Sequence, residues 1–246
     1  MTAIKNLLRE FSLLLRSVPA TLSALLAVSV VAMNLLANKS INLGVDWLAL
    51  DCGILFSWVL FMVLDIVTRR YGVRAANMLS VAALVLNLAV AVILLATSYI
   101  PGTWSQSYVE GSESVINAAL DATIASSWFV ILGSSCAFLA SAVLNNVLHY
   151  AVNKAFKNHN FLAFSVSSYV STFVAQFVDN LLFALIVSYH FFGWSMVQCV
   201  TCAVTGAVAE LLCEVIFSPI GYRVVKRMER DAVGQAYIDR QKEAQT

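Results

Sequence analysis

The chain has 246 residues, 60% of them hydrophobic and only 12% charged. Soluble domains carry about 25% charged residues, so this chain lacks the charge to cover its own surface, and lipid must cover much of it. A formal charge of +1, with 3 Pro and 10 Gly, speaks against a nucleic-acid partner and against a long disordered linker.

At the start of the chain, Ile4, Leu7, Leu8, Phe11, Leu14, Leu15 and Val18 recur at helical spacing, while Lys5, Arg9 and Arg16 lie off that stripe. Residues 1–18 therefore read as an amphipathic helix on the anionic inner leaflet, with docking against the bundle an equally simple alternative. A basic start before an apolar run also suits a secretory leader. No convincing small-residue cleavage site follows and further apolar segments do, so the sequence predicts a retained first helix.

Roughly 20 apolar helical residues cross a bilayer core. On that ruler the sequence predicts spans near 19–38, 48–68, 76–100, 122–152, 161–192 and 195–225, the last three long enough to tilt or project. The predicted fold is an all-α integral membrane protein. It comprises a six-helix transmembrane domain over 19–225 and a polar cytoplasmic tail over 226–246, read as a helix extension. Positive charge supplies the orientation. Of the 15 Lys and Arg residues, all but Lys39 fall before the first span, in the second and fourth loops, or after the last span. An even number of crossings with both termini in the cytoplasm explains this sorting. Two inverted halves of three helices would follow, but no sequence echo links them.

Charge inside hydrocarbon costs at least about 2.5 kcal/mol per group, so polar residues within the spans need a partner, water or a task. The sixth span carries Glu210 and Glu214 on one face, and the fifth carries a stripe of Tyr169, Thr172, Gln176, Asp179 and Asn180. No Lys or Arg occurs deep in any span. These acids are thus protonated, wet, glued to other helices, or set to receive a cationic or donor-rich ligand. Asn34 and Asn38 share a face of the first span, and Ser134, Ser141, Asn145, Asn146 and His149 lie on the fourth. For these, helix packing and ligand contact are equally good readings. Asp51 and Asp65 are expected at opposite ends of the second span, nearly on one face, with Asp65 beside Arg69 as an interfacial ion pair.

The five cysteines all lie in apolar stretches, and Cys199-x-x-Cys202 has no further Cys or His cluster to complete a zinc site. No metal or cofactor is expected. An intramembrane serine protease is a poor fit: Ser134 and His149 lie fifteen residues apart on one helix, about 22 Å along its axis. The chain has no Gly-rich loop ending in Gly-Lys-Ser/Thr and does not itself burn ATP.

Several stretches carry a resemblance. Gly53-Ile-Leu-Phe56, the run from Asp65 through Arg69-Arg70-Tyr71-Gly72 to Arg74-Ala75, and Ser171-Thr172 with Gln176, Asp179-Asn180 and Phe183 are similar to the vitamin uptake or queuosine precursor transporter family. So are Asn34 to Lys39 and Glu214 to Pro219. The chain departs from the family pattern at Ser57, Asn145 and Asn180, and at Ala209, where a Lys is usual. The resemblance implies six helices in a bacterial inner membrane and import of queuine or another 7-deazaguanine base, with no catalysis.

In that setting Asp179 and Glu214 would take the donor edge of the base, with Glu210 on a cationic arm or as a further acceptor. Gln176, Asn180 and Asn145 would read the carbonyl and ring nitrogens, and Asn34 and Tyr169 would line the pocket. Phe183, Phe173 or Trp58 would supply an aromatic wall. The alternative is the substrate-binding subunit of an energy-coupling-factor importer for a vitamin-like molecule. Such a subunit borrows an ATPase module, for which Ala20, Ala24 and Ala27 offer a close-packing face. A homodimer is the other partner expected. A purely structural membrane protein is the remaining rival.

Overall fold

The computed structural model describes residues 2–104, 113–155 and 161–243. The amphipathic helix α1 (Thr2–Ser17) turns by 105° into α2 (Ala20–Leu36). Pro19 precedes the first residue of α2, where a missing N–H costs nothing. Strands β1 (Ser40–Asn42) and β2 (Ala49–Asp51) pair antiparallel, Ser40 opposite Asp51. Helix α3 (Ile54–Tyr71) follows, then α4 (Val73–Ser98), α5 (Glu113–Ala155) and α6 (Phe161–Phe183). A π-helical turn (Ala184–Ser188) leads to the short α7 (Tyr189–Phe191). Helix α8 (Met196–Arg230) and the terminal α9 (Gln235–Glu243) complete the chain.

Helices α3, α4, α5, α6 and α8 close a ring in which each touches the next, and α2 packs on α3, α4 and α5. Helix α8 shows why lipid is the solvent. Val197, Val200, Val204, Val208, Leu212, Val215, Ile216 and Ile220 are exposed at spacings of three and four. The opposite face buries Cys202, Gly206, Glu210, Glu214, Ser218 and Gly221. A helix that turns valine outward and glutamate inward suits a hydrocarbon exterior and a polar interior. Among the described residues, α4, α5, the run Tyr169–Phe191 and α8 are each long and apolar enough to cross a membrane, and the bent α1–α2 pair makes up to five. Helix α3 carries Asp65, Arg69 and Arg70 within its 18 residues, which keeps it out of that number.

Helices α2, α4, α6 and α8 begin within a few residues of the expected spans, whereas α5 begins at Glu113 rather than near 122 and α3 at Ile54 rather than near 48. Asp51 was expected on the second span, on nearly the same face as Asp65. It lies instead on β2, before α3 begins. Its Oδ1 accepts the Gly53 N–H at 2.7 Å, a bond from an Asp to the backbone two residues on that turns the chain into the helix. A Cβ on Gly53 would sit 2.7 Å from that oxygen and 2.8 Å from the Met33 carbonyl, so only glycine fits.

Each end of the ring is tied. At the hairpin end, the α8 N-cap Ser195 and Gln198 form a capping box. Gln198 Nε2 donates to the Asp46 carbonyl at 2.8 Å and Thr201 Oγ1 to the Trp47 carbonyl at 2.7 Å, holding the hairpin loop over α8. At the basic end, Tyr71 donates to the Ser17 carbonyl at 2.7 Å and Arg70 Nη2 to the Val233 carbonyl at 2.8 Å. Tyr71 also packs edge-on against the wholly buried Tyr237. Arg74 pairs with Glu10 at 2.6 Å, so α1 is docked by its Leu14 side while Leu7, Leu8 and Leu15 stay exposed. Docking and an interfacial position, the two expected alternatives, are compatible in this arrangement.

Candidate functional site

Asp179 lies in the last turn of α6, one residue before Asn180 and four before Phe183. Its Oδ1 accepts Ser141 Oγ of α5 at 2.7 Å. Across the ring, Glu210 of α8 accepts Ser57 Oγ of α3, and Asn180 Nδ2 donates to Glu210 Oε2 at 3.2 Å. Four helices therefore converge on two buried carboxyl groups at one level. Asn180 reaches Glu210 because residue 206 is glycine: a Cβ there would lie 2.6 Å from Asn180 Nδ2.

A cavity of about 30 Å³ opens beside this layer. Its walls are Met33 and Ala37 of α2, Asp51 and Gly53, Ile54 and Ser57 of α3, Ser134 of α5, and Asp179, Asn180 and Phe183 of α6. No Lys or Arg is among these residues. The volume suits about one water molecule, so a larger ligand must open it. Asp51 guards the hairpin end. Burial pushes its carboxyl up to about 6, and the Gly53 N–H pulls the other way.

Of the expected site residues, Asp179, Asn180 and Phe183 line this cavity, and Glu210 stands directly behind Ser57 and Asn180. Glu214 is buried one turn nearer the basic end. There, too, Asn145 Nδ2 donates to Asp65 Oδ1 at 2.9 Å, and Tyr169 Oη meets Ser218 Oγ at 2.8 Å. Asn34 is buried and donates to the Val30 carbonyl at 2.6 Å. Gln176 is wholly buried, and neither its Oε1 nor its Nε2 has a partner. An unmet buried polar atom costs about 1–3 kcal/mol. Of the aromatic candidates, Phe173 is exposed on the outer face and Trp58 stacks on Phe217 with ring centroids 4.4 Å apart, which leaves Phe183 at the cavity.

Asp51, Gly53 and Gly206 were not among the expected site residues. The signal for Gly206 was weak, since a glycine in a membrane helix usually marks close packing. Ser57 stood out only as a departure from the family pattern.

A carboxylate offers about four acceptor positions. The neutral donors on Asp179 and Glu210 occupy a minority of them, which leaves a layer suited to a ligand rich in N–H groups or bearing a cation.

A family model described as "Putative vitamin uptake transporter" matches residues 51–224. The chain belongs to this family. The match takes in α3 to α7, most of α8 and every cavity residue except Met33 and Ala37. Comparison with curated proteins and with solved structures gave no match. Membership in the uptake-transporter family makes this a multi-pass membrane transporter of a small molecule, and its apolar helices agree.

Proposed function

We propose that this uptake transporter imports a queuosine precursor, queuine or a related 7-deazaguanine base, across a bacterial inner membrane. The single observation that carries the proposal is a cavity edged by Asp179 and backed by Glu210, with no basic residue among its walls. A guanine-like base presents N1–H and N2–H₂ side by side, and one carboxylate accepts both in a charge-assisted pair. Aminomethyl forms add a cation that a second carboxylate can meet. On this reading Asp179 takes the donor edge, Glu210 the cationic arm, Asn180 the ring carbonyl, and Phe183 the flat face. Glu214 and Asn145 lie deeper and serve later positions of the base, while Tyr169 and Asn34 support the walls.

The topology that goes with it has six crossings, by α2, α3, α4, α5, the α6–α7 run and α8, with both termini in the cytoplasm. The sorting of basic residues supports this, as do the docked α1 and α9, which share one end of the ring with Arg70 and Arg74. Residues 1–18 then form an interfacial helix, 19–225 the transmembrane domain and 226–246 a cytoplasmic tail.

Uptake of labelled queuine into liposomes containing the purified chain alone is the test. Uptake above that of empty liposomes, lost in Asp179→Asn, is the expected result. If uptake requires an added ATPase module, the chain is the binding subunit of an energy-coupling-factor importer. No uptake under either condition contradicts the proposal.

A further inference from the structure

Among the described residues, the polar contacts inside the ring include an upper layer that borders the cavity and a lower layer one turn below it. The upper layer joins Ser141 to Asp179, and Ser57 and Asn180 to Glu210. Helices α5 and α6 run antiparallel, with Ser141 opposite Asp179. Asn145 follows Ser141 by four residues, and Gln176 precedes Asp179 by three. Both steps lead one turn toward the basic end, so the register sets Asn145 and Gln176 at one depth. Thr172 lies a further turn along the Gln176 face.

This lower layer concentrates unmet atoms. Asn145 and Gln176 are wholly buried and Thr172 is 1% exposed. Asn145 Oδ1, Gln176 Oε1, Gln176 Nε2 and Thr172 Oγ1 all lack partners. Folded proteins keep few such atoms, and each one asks for an explanation. Four on three side chains of two facing helices, just below the cavity layer, point to a group that arrives and departs.

We propose that this lower layer is a second station for the transported molecule, occupied after the cavity layer. There the Gln176 side-chain amide pairs with a lactam or other cis-amide edge, and Asn145 and Thr172 accept from its remaining N–H groups. An amide with both ends unmet is complementary to an edge carrying adjacent N–H and C=O. The inference rests on the base-importer reading and adds an order to it. The base moves one turn toward the basic end, from the Asp179 layer to amide and hydroxyl groups that stand near Asp65 and Glu214. Two irregularities give the helices freedom to open the lower layer. The π-helical turn at Ala184–Ser188 sits just above Asp179, and Pro219, which has no N–H to give the helix, lies within α8 just below Glu214. Helices bend and rotate at such points.

The test compares equilibrium binding of queuine with its uptake into liposomes, using full-length wild type, Gln176→Met and Thr172→Val. For Gln176→Met the expected Kd stays within about threefold of wild type while uptake slows at least about tenfold. Its ligand-free thermal stability is not lowered, because the unmet amide atoms are gone. Thr172→Val slows uptake in the same sense by less, and carries the test if Gln176→Met fails to fold. Uptake by both variants at the wild-type rate overturns the second station. So does parallel loss of binding and uptake, which would put Gln176 in the upper layer. Wild type that binds no 7-deazaguanine base removes the importer reading itself, a result visible before any variant is made.

Discussion

At the scale of residues, the site was half legible. Asp179, Glu210 and Gln176 stood out because polar side chains are rare in apolar runs, and rarity there has an energetic reason. Their partners did not stand out. Ser57 serves Glu210 across 153 positions of sequence, a pairing that only the helix ring creates. Gly206 was silent for the same reason: its role is the space it leaves for Asn180. Gly206→Ala is therefore expected to displace Asn180 from Glu210 and to cost about 1–3 kcal/mol as an overpacking change. A lower melting temperature with weakened queuine binding would show it, and unchanged values of both would refute it.

Asp51 provides a pH signature. Its carboxyl titrates near 3.8 when exposed and at about 6 in the fold. Between these values the folded state keeps a proton that the unfolded state has lost. Stability contributed by this group is thus full below about pH 4, falls as pH rises to about 6, and is flat above, by about 3 kcal/mol in all. Asp51→Asn should remove that slope in melting temperatures measured from pH 4 to 7. A variant with the wild-type slope would assign the effect elsewhere.

At the scale of elements, helix positions were legible because lipid demands long apolar runs, and α2, α4, α6 and α8 begin within a few residues of the expected places. The departures fell at the start of α5, which begins at Glu113 rather than near 122, and at Asp51. The short apolar run Trp47-Leu48-Ala49-Leu50 satisfies a hydropathy window equally as strand or as helix start, and the Asp51–Gly53 turn decides for the strand. The π-helical turn was equally hidden, because Ala184-Leu-Ile-Val-Ser188 has the composition of any span. Among the ties at the basic end is Tyr71, whose hydroxyl holds α1 through the Ser17 carbonyl. Tyr71→Phe should lower stability by about 1 kcal/mol and raise proteolytic cleavage between α1 and α2. Wild-type protease resistance would contradict that role.

At the scale of the whole molecule, the chain buries polar groups beside an apolar core and leaves apolar faces exposed. Its apolar side chains face outward along α4 and α8, and its carboxyls and amides face one another within the ring. That arrangement was legible in outline from low charge and one-sided basic residues. The division of the interior into an open layer at Asp179 and an unmet layer at Gln176 was not, since it depends on how antiparallel helices register. An importer of such a base must receive it at the carboxyl layer. The most direct measurement is the melting temperature of the purified chain with queuine and its aminomethyl precursor, beside Asp179→Asn. A ligand-dependent rise is expected in wild type and absent in the variant. A wild type unmoved by either base, or a rise of equal size in Asp179→Asn, would contradict reception of the base at that layer.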